Sequence, residues 1–184
     1  MLSIKRRSST LYWGKLLRQF GKGSSIGVGW TIEYPNAVEI GENVFLGNRG
    51  WLSFDPTSNF NEQSGISIGT GSYIGNDFVA SIGHKIVISE KVMISDRVFI
   101  GDSNHQNSDP NIPVIDQGLR FDGDVYIGFG SWVGIGAVIL PGVTIGRNCV
   151  VGANTVVLSS LPDYSTAVGS PARIVTKGIA QTKL

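Results

Sequence analysis

Between Val125 and Val157 the chain repeats one pattern of apolar and polar residues every six positions. A branched aliphatic residue occupies each sixth position, a compact residue stands two places before it, and Gly or Asn follows most of them three places later. A helix repeats its apolar residues every three or four positions and a lone strand every two, so the pattern fits neither. It predicts short strands joined by turns, three of which close a triangular coil that stacks on the next. The aliphatic positions are Ile127, Val133, Ile139, Ile145, Val151 and Val157.

The same period runs less regularly through the preceding part of the chain, and two segments interrupt it. Residues 51–65 mix Trp51, Phe54 and Phe60 with polar residues, which predicts a loop or an irregular turn of coil. We expect its aromatic side chains to anchor it to the body rather than to stack on a sugar. Residues 102–124 are polar and lack the period, so they are expected to leave the coils as an excursion loop, a place where function is commonly carried.

The first 23 residues differ from the rest because they are basic and contain no acidic residue. Their apolar residues recur at helical spacing and predict an amphipathic helix from about Ser9 to Phe20, weakened by Gly14. We expect this segment to cap the open first coil of a domain spanning residues 24–171, because terminal repeats need a cover. The alternative is that residues 1–22 contact an anionic membrane surface. The apolar residues in question are Tyr12, Trp13, Leu16, Leu17 and Phe20.

Composition narrows the classes of function. Charged residues make up 16% of the 184-residue chain and the formal net charge is +1, which argues against a nucleic-acid binder that relies on neutralising phosphates. The single cysteine, Cys149, excludes an intrachain disulfide and is expected to be a buried packing residue. No apolar run is long enough to span a membrane and no signal peptide is apparent, so a cytoplasmic location is expected. Residues 172–184 follow Pro171 and predict a basic tail that leaves the coils.

Three segments resemble one known family. Ile100–His105 is similar to that family's D-H-x-H opening of an excursion, Gly130–Gly146 to its repeats, and Ala167–Val175 to its G-x-P-A-[KR]-x-[IV] ending. The chain thus resembles the left-handed parallel β-helix acyltransferases of the hexapeptide-repeat superfamily, especially the maltose, galactoside, colanic acid and O-antigen O-acetyltransferases. The resemblance implies an all-β fold, namely a single left-handed parallel β-helix with a short N-terminal helix, one excursion loop and a C-terminal tail.

What the resemblance implies for function is specific. Such proteins are homotrimers that transfer an acetyl group from acetyl-CoA to a sugar or glycan hydroxyl, without a metal, in sites between neighbouring subunits. Surface polysaccharide or lipopolysaccharide biosynthesis is the implied setting. His105 matches the general base, Trp132 a residue beside the CoA, and Arg173 a basic residue near the CoA phosphates. Ala137, Gly152 and Lys177 are further expected CoA contacts.

The sequence departs from the family at two places. Ser103 replaces the first histidine of D-H-x-H, and Ser159–Leu161 stands where the family has Thr-Lys-Asp, so a lysine that often helps to bind CoA is absent. Exposed apolar residues such as Phe99, Phe129 and Trp132 are expected to share one side of the β-helix and to be covered in a trimer.

Several polar residues near the excursion are candidates for the reaction. Histidine is suited to removing a hydroxyl proton near neutral pH, which favours His105. Asp102 either orients His105 or satisfies its own turn, two readings that stay open. His84 lies in a bulge at Ser81–Lys85 and either lines the same groove or forms a surface turn. His84 and Asn104 are therefore candidate acceptor contacts. Asp122-Gly123-Asp124 predicts a turn rather than a cation site.

Other functions compete with sugar O-acetylation. An amino-sugar or serine acetyltransferase would use the same base and donor, and the sequence barely separates them. A non-catalytic β-helix scaffold would lack CoA binding. A γ-type carbonic anhydrase needs three histidine ligands for its metal, whereas the chain has two histidines at unrelated positions.

Overall fold

A computed structural model describes residues 3–58, 60–61 and 63–176 of the chain. Almost all of the regular structure is β, and it forms three sheets of predominantly parallel strands that make up the faces of a triangular β-helix. We call these faces sheet A, sheet B and sheet C, in the order in which each coil visits them. The fold class expected from the sequence is confirmed.

Each of the first six coils contributes one strand to each sheet. The first three coils contain β1 (Gln19–Phe20), β2 (Ser25–Ile26), β3 (Thr31–Ile32), β4 (Val38–Ile40), β5 (Phe45–Leu46), β6 (Trp51–Phe54), β7 (Gly65–Ile68), β8 (Tyr73–Ile74) and β9 (Val79–Ile82). The fourth coil, with the excursion that follows it, contains β10 (Lys85–Ile88), β11 (Met93–Ile94), β12 (Phe99–Gly101), β13 (Ser103–His105) and β14 (Leu119–Phe121). The remaining strands are β15 (Val125–Ile127), β16 (Trp132–Val133), β17 (Val138–Ile139), β18 (Thr144–Ile145), β19 (Val150–Val151), β20 (Val156–Val157), β21 (Thr166–Val168) and β22 (Arg173–Thr176).

The core is a column of inward-facing aliphatic side chains. The six branched residues of the repeat predicted from the sequence are all buried, as is Cys149 among the compact positions. The turns between strands need a left-handed backbone, which Gly and Asn adopt at little cost. Gly130 and Asn148 are two of these turn residues, with φ of 71° and 48°.

Every insertion into the coils falls at one corner, between sheet C and sheet A. Paired strand residues in the last regular coils are 18 positions apart, as in Tyr126 and Thr144. Earlier coils are longer, and the extra residues always follow a sheet C strand: they are residues 33–37, residues 55–64, the bulge 83–85 and the excursion 102–124. The irregular and polar parts of the chain therefore gather along one edge of an otherwise regular prism.

The excursion is a β-hairpin rather than an irregular loop. It leaves β12 at Asp102, and β13 pairs in antiparallel fashion with β14. Its outer part includes a short 3₁₀ helix at Val114–Asp116. The hairpin returns to the coils at β15.

The N-terminal helix, α1, spans Ile4–Leu16, so the prediction of a helix from Ser9 to Phe20 was wrong at both ends. Ser3 is the N-cap and accepts a hydrogen bond from the Arg6 amide. At the other end Leu17 becomes extended, and Phe20 joins β1, which pairs with β4. The Phe20 ring packs over Gly14, where a Cβ would come within 3.0 Å of it, so the glycine makes room for this contact.

The predicted apolar face of the N-terminal segment is correct only in part. Trp13, Leu17 and Phe20 pack against the core, but Tyr12 and Leu16 face solvent. Polar side chains make most of the contact instead, because α1 lies along the free edge of β2, whose backbone groups need hydrogen-bond partners. Within the described residues, no helix is both long enough and apolar enough to cross a membrane.

Two further segments differ from the expectation. Trp51–Phe54 is the regular strand β6 and not a loop, because Leu52 and Phe54 alternate inward while Trp51 points outward. The loop that follows is anchored by the Phe54 and Phe60 rings, whose centroids are 5.0 Å apart, as expected. The tail beginning at residue 172 does not leave the body at once, since β22 folds back antiparallel onto β21.

Candidate functional site

A cleft of about 310 Å³ lies between the hairpin and the outer face of sheet C. Outward-facing side chains of neighbouring strands form its floor, because residues paired in a parallel sheet stand side by side on one face. The hairpin supplies its wall. The lining residues are Trp51, Ser53, Val79, Ser81, Phe99, Ser103, Asn104, His105 and Leu119.

His105 is the one histidine that lines this cleft. It is the last residue of β13, where it pairs with Leu119 across the hairpin. The imidazole is exposed, and within the described residues it makes no hydrogen bond or ion pair. A ring nitrogen of His105 is therefore free to accept a proton from a molecule bound in the cleft, as a general base must.

Asp102 does not orient His105, so its predicted catalytic role was wrong. Its side chain is fully buried, and its carboxylate accepts hydrogen bonds from the backbone N–H groups of Gly83 (2.5 Å), His84 (2.8 Å) and Lys85 (2.6 Å). Burial raises the pKa of Asp102, and the three N–H donors act in the opposite direction. The residue fixes the bulge of the preceding coil to the root of the hairpin.

That bulge presents His84 at the foot of the hairpin. The His84 Nδ1 atom lies 2.6 Å from Oδ1 of Asp124, which is the residue where the hairpin rejoins the coils. The His84 ring also contacts the edge of Phe121, with ring centroids 5.2 Å apart. The His84 imidazole is thus fixed by a carboxylate and an aromatic ring. The residue is more than part of a surface turn.

The two histidines lie along the same face of the hairpin. Ser103 pairs with Phe121 and His105 with Leu119, and cross-strand partners project their side chains to the same side of a sheet. Phe121 and Leu119 are alternate residues of one strand, so they also share that side. His84 touches this face at Phe121, and His105 lies two residue pairs further out.

Asn104 and its neighbours form a separate polar cluster on the hairpin. The Asn104 side chain donates to Oδ2 of Asp122 (2.7 Å), and Arg120 contacts both oxygens of the same carboxylate at 2.6 and 2.9 Å. The Arg120 guanidinium, followed by the Asn104 amide, lowers the pKa of Asp122. Asn104 also lines the cleft, so it stays a candidate contact to the acceptor.

The expected CoA contacts fall mainly on a different face. Trp132 projects from β16 and Arg173 begins β22, and both strands belong to sheet B, three strand spacings or about 14 Å apart. Trp132 is exposed and donates from Nε1 to Ser95 Oγ (3.1 Å). Arg173 is exposed and lines an open depression with Ser159.

The other expected CoA contacts divide three ways. Ala137 is fully buried, its N–H donates to Gly134, and its carbonyl accepts from Phe99, so its predicted role in CoA binding was wrong. It is a core residue because the position two before each inward aliphatic faces inward as well. Gly152 lies half-buried at a turn after β19 and stays a prediction. Lys177 lies outside the described residues.

The exposed aromatic residues do not share one side, contrary to expectation. Phe99 projects from sheet C, Trp132 from sheet B, and Phe129 from the turn between sheets A and B. A six-residue period cannot distinguish the faces, because successive hexads visit successive sheets. Apolar surface is therefore present on more than one face.

Two residues of the site were missed by the sequence reasoning. Trp51 lines the cleft, and its position six residues after Phe45 keeps the repeat in phase, a signal that the surrounding polar residues obscured. Asp124 was read only as a turn residue; its pairing with His84 joins residues 40 positions apart, and no local pattern shows this.

The described residues offer little support for a metal site or for a nucleophilic side chain. The described part of the chain contains no group of three or more His, Cys, Asp or Glu side chains placed to hold a metal ion. Burial raises the pKa of the Cys149 thiol, which keeps it in its less nucleophilic protonated form.

Comparison with known proteins defines the class first. Residues 124–159 match the family model described as bacterial transferase hexapeptide (six repeats). This match covers the most regular coils and confirms the resemblance to hexapeptide-repeat transferases.

Individual proteins add detail. The chain is 34% identical over 138 residues to a probable acetyltransferase of Mycobacterium tuberculosis, an alignment covering 75% of this chain and 43% of that protein. It is 43% identical over 77 residues to an Escherichia coli protein named "Putative lipopolysaccharide biosynthesis O-acetyl transferase WbbJ", covering 42% and 39% of the two chains. The chain thus spans less than half the length of these two relatives.

A solved structure matches the fold over most of both chains. It is a mutant of AntD, an N-acyltransferase from Bacillus cereus, in complex with dTDP and coenzyme A. The TM-score is 0.71 at 26% sequence identity, and the match covers 86% of this chain and 83% of that one.

Proposed function

We propose that this protein is an acetyl-CoA-dependent O-acetyltransferase that modifies a sugar hydroxyl, in surface polysaccharide or lipopolysaccharide biosynthesis, with His105 as general base. The observation that carries the proposal is the position of His105. Its unengaged imidazole lines a cleft whose floor carries Trp51 and Phe99. Aromatic faces beside polar groups suit a sugar ring, which is apolar on its C–H faces and polar at its edges.

The reaction needs one proton to move and one bond to be exchanged. His105 accepts the proton of the acceptor hydroxyl while the hydroxyl oxygen bonds to the acetyl carbonyl carbon. The tetrahedral oxyanion then collapses, the carbon–sulfur bond breaks, and the proton passes from the imidazolium to the departing thiolate. Because attack is direct, neither a metal nor a covalent enzyme intermediate is needed.

The CoA donor is proposed to lie along sheet B. Trp132 and Arg173 are exposed on strands of this sheet that lie three strand spacings, or about 14 Å, apart, a separation that an extended CoA can span. Arg173 would contact phosphate, since a guanidinium pairs well with phosphate oxygens. Gly152 lies between them in the sequence at a turn of the same region and would border the donor.

The protein is proposed to be a homotrimer, and the placement of these groups supports a site shared between copies. His105 lies on the sheet C side of the chain, whereas Trp132 and Arg173 lie on sheet B. If the sheet C side of one copy faced sheet B of the next, His105 and the bound CoA would lie in the same site. Successive contacts of this head-to-tail kind close into a ring, and the proposed ring has three members. The apolar residues on both faces support burial there.

A second candidate is transfer to the amine of an amino sugar. The similarity to AntD, an N-acyltransferase whose structure holds dTDP and coenzyme A, favours it. The cleft could take either acceptor, because a base beside a hydroxyl also suits an amine. In both cases His84 and Asn104 are proposed to contact the acceptor, one at the hairpin foot and one on its edge.

The experiment is a free-thiol assay with acetyl-CoA and matched pairs of acceptors. Each pair consists of one sugar with a hydroxyl and the same sugar with an amine at that position, free and nucleotide-linked. The O-acetyl proposal predicts CoA release with hydroxyl acceptors. Release with amines alone would overturn it in favour of the second candidate, and failure to bind CoA by calorimetry would overturn both in favour of a binding scaffold.

A further inference from the structure

The side of α1 that faces the β-helix is largely polar. Ser9 Oγ donates to the Gly27 carbonyl (2.5 Å), and Thr10 exchanges two hydrogen bonds with the backbone of Ile26, at 3.0 and 3.2 Å. These bonds occupy the free edge of β2, which would otherwise expose unpaired backbone groups. Covering the end of the β-helix therefore does not use most of the apolar residues of the helix.

Those apolar residues point the other way. Ile4 is 83% exposed, Leu11 67% and Tyr12 60%. Ile4 and Leu11 are seven positions apart, so they stand two turns apart on one line of the helix surface. Ser8 and Lys15 share this side, so Ile4 and Leu11 form an interrupted apolar stripe among polar residues. Neither Ile4 nor Leu11 is buried against another part of the described chain.

Basic residues lie beside the stripe, and the sequence around them contains no acidic residue. Arg7 and Lys15 lie three residues after Ile4 and four residues after Leu11, on the same outward side, and both are exposed. The first acidic residue of the chain is Glu33. Of the neighbouring cations, Arg6 is turned inward, where its Nη1 donates to the Leu46 carbonyl at 2.8 Å.

We propose that α1 docks this end of the β-helix on an anionic lipid bilayer. Ile4 and Leu11 would enter the headgroup boundary while Arg7 and Lys15 contact lipid phosphates, the arrangement by which basic amphipathic helices lie in a membrane surface. A two-fold contact with a second copy of the chain would place the same cations against each other. The inference goes beyond the proposed function and is independent of it.

Vesicle sedimentation of the full chain tests the proposal without either substrate. Phosphatidylglycerol vesicles should retain the protein at about 0.1 M salt, and phosphatidylcholine vesicles should not. Raising the salt to about 1 M should release it, because the screening length falls from about 10 to about 3 Å. Equal binding to both lipids, or none to either, would overturn the proposal.

Two variants with matched controls locate the contact. Arg7→Gln with Lys15→Gln should weaken binding at least about tenfold, since each cation near the surface contributes about a factor of five. The control is Lys91→Gln with Arg97→Gln, two exposed cations on the corners of a middle coil. Ile4→Gln should also weaken binding, and Ile115→Gln is its control because both isoleucines are 83% exposed.

The outcomes of the variants are decisive in both directions. Loss of binding in the α1 variants alone, with unchanged melting temperature, supports the proposal. Equal behaviour of variants and controls overturns it. A change in the molecular mass of the α1 variants in light scattering, without a change in vesicle binding, would also overturn it by making this surface a contact between copies.

Discussion

The Nδ1 atom of His84 lies 2.6 Å from Oδ1 of Asp124, and this contact joins two residues 40 positions apart in the sequence. His84 belongs to the bulge of one coil, and Asp124 is where the hairpin returns to the next. Asp102, where the hairpin leaves, is bound to the same bulge through three N–H groups. Both roots of the hairpin that carries His105 are therefore fixed to residues 83–85.

The pair fixes the tautomer of His84. A carboxylate can only accept a hydrogen bond, so neutral His84 should carry its proton on Nδ1 and leave Nε2 open. Because the chain has two histidines, ¹⁵N NMR of the imidazoles can report each one separately. Asp124→Ala should change the His84 signals and leave those of His105 nearly unchanged, whereas the control Asp122→Ala should leave His84 unchanged. A wild-type His84 protonated on Nε2 would contradict the pairing.

Asp102 should act on stability. Asp102→Ala leaves three partly buried N–H groups without their acceptor and should reduce the free energy of unfolding by about 2 kcal/mol. Asp102→Asn keeps one carbonyl oxygen and should lose less. Asp116→Ala removes an exposed carboxylate and should change stability by less than about 0.5 kcal/mol. Denaturant melts of the three variants provide the comparison, and an Asp102→Ala protein as stable as Asp116→Ala would contradict this role.

The fold was predictable because every repeat carries the same local sequence signals. Each hexad carries its own inward aliphatic and its own turn residue, so the class of fold followed from the period. The boundaries of α1 were not predictable in this way. Ser3 and Ser9 are both residue types that favour an N-cap. In the structure Ser3 is the N-cap, because the side chains of Ser9 and Thr10 are instead hydrogen-bonded to the backbone at the free edge of β2.

The site was predictable only in part. His105 could be found because it follows the interruption of a strong repeat. The partners of Asp102 could not, because they lie on the previous coil and a bulge brings their N–H groups together. The face on which each aromatic residue lies depends on the number of residues inserted at the sheet C–sheet A corner, and this number was not visible from the hexads alone.

Arg173 should govern affinity for the donor. Arg173→Ala should raise the KM for acetyl-CoA several-fold with a smaller effect on kcat, and the difference from wild type should shrink at high salt. Lys22→Ala, which removes an exposed cation from the first coil, is the control. An unchanged KM in Arg173→Ala would mean that the phosphates bind elsewhere.

A site shared between copies should allow complementation. Light scattering should give the mass of a trimer at micromolar concentration. His105→Ala and Trp132→Ala should each be impaired alone, but trimers refolded from an equal mixture should recover about a quarter of the wild-type sites, because one neighbour supplies the histidine and the other the tryptophan. A monomer in solution, or a mixture no more active than the average of its components, would contradict the shared site.

The kcat of His105→Ala tests the central claim most directly. General-base catalysis contributes about 10²–10⁴-fold, so kcat with a good acceptor should fall by about that factor while the melting temperature and acetyl-CoA binding stay nearly unchanged. His84→Ala, which removes the other histidine, should lower kcat much less. Near-normal turnover by His105→Ala would contradict the assignment of His105 as the base.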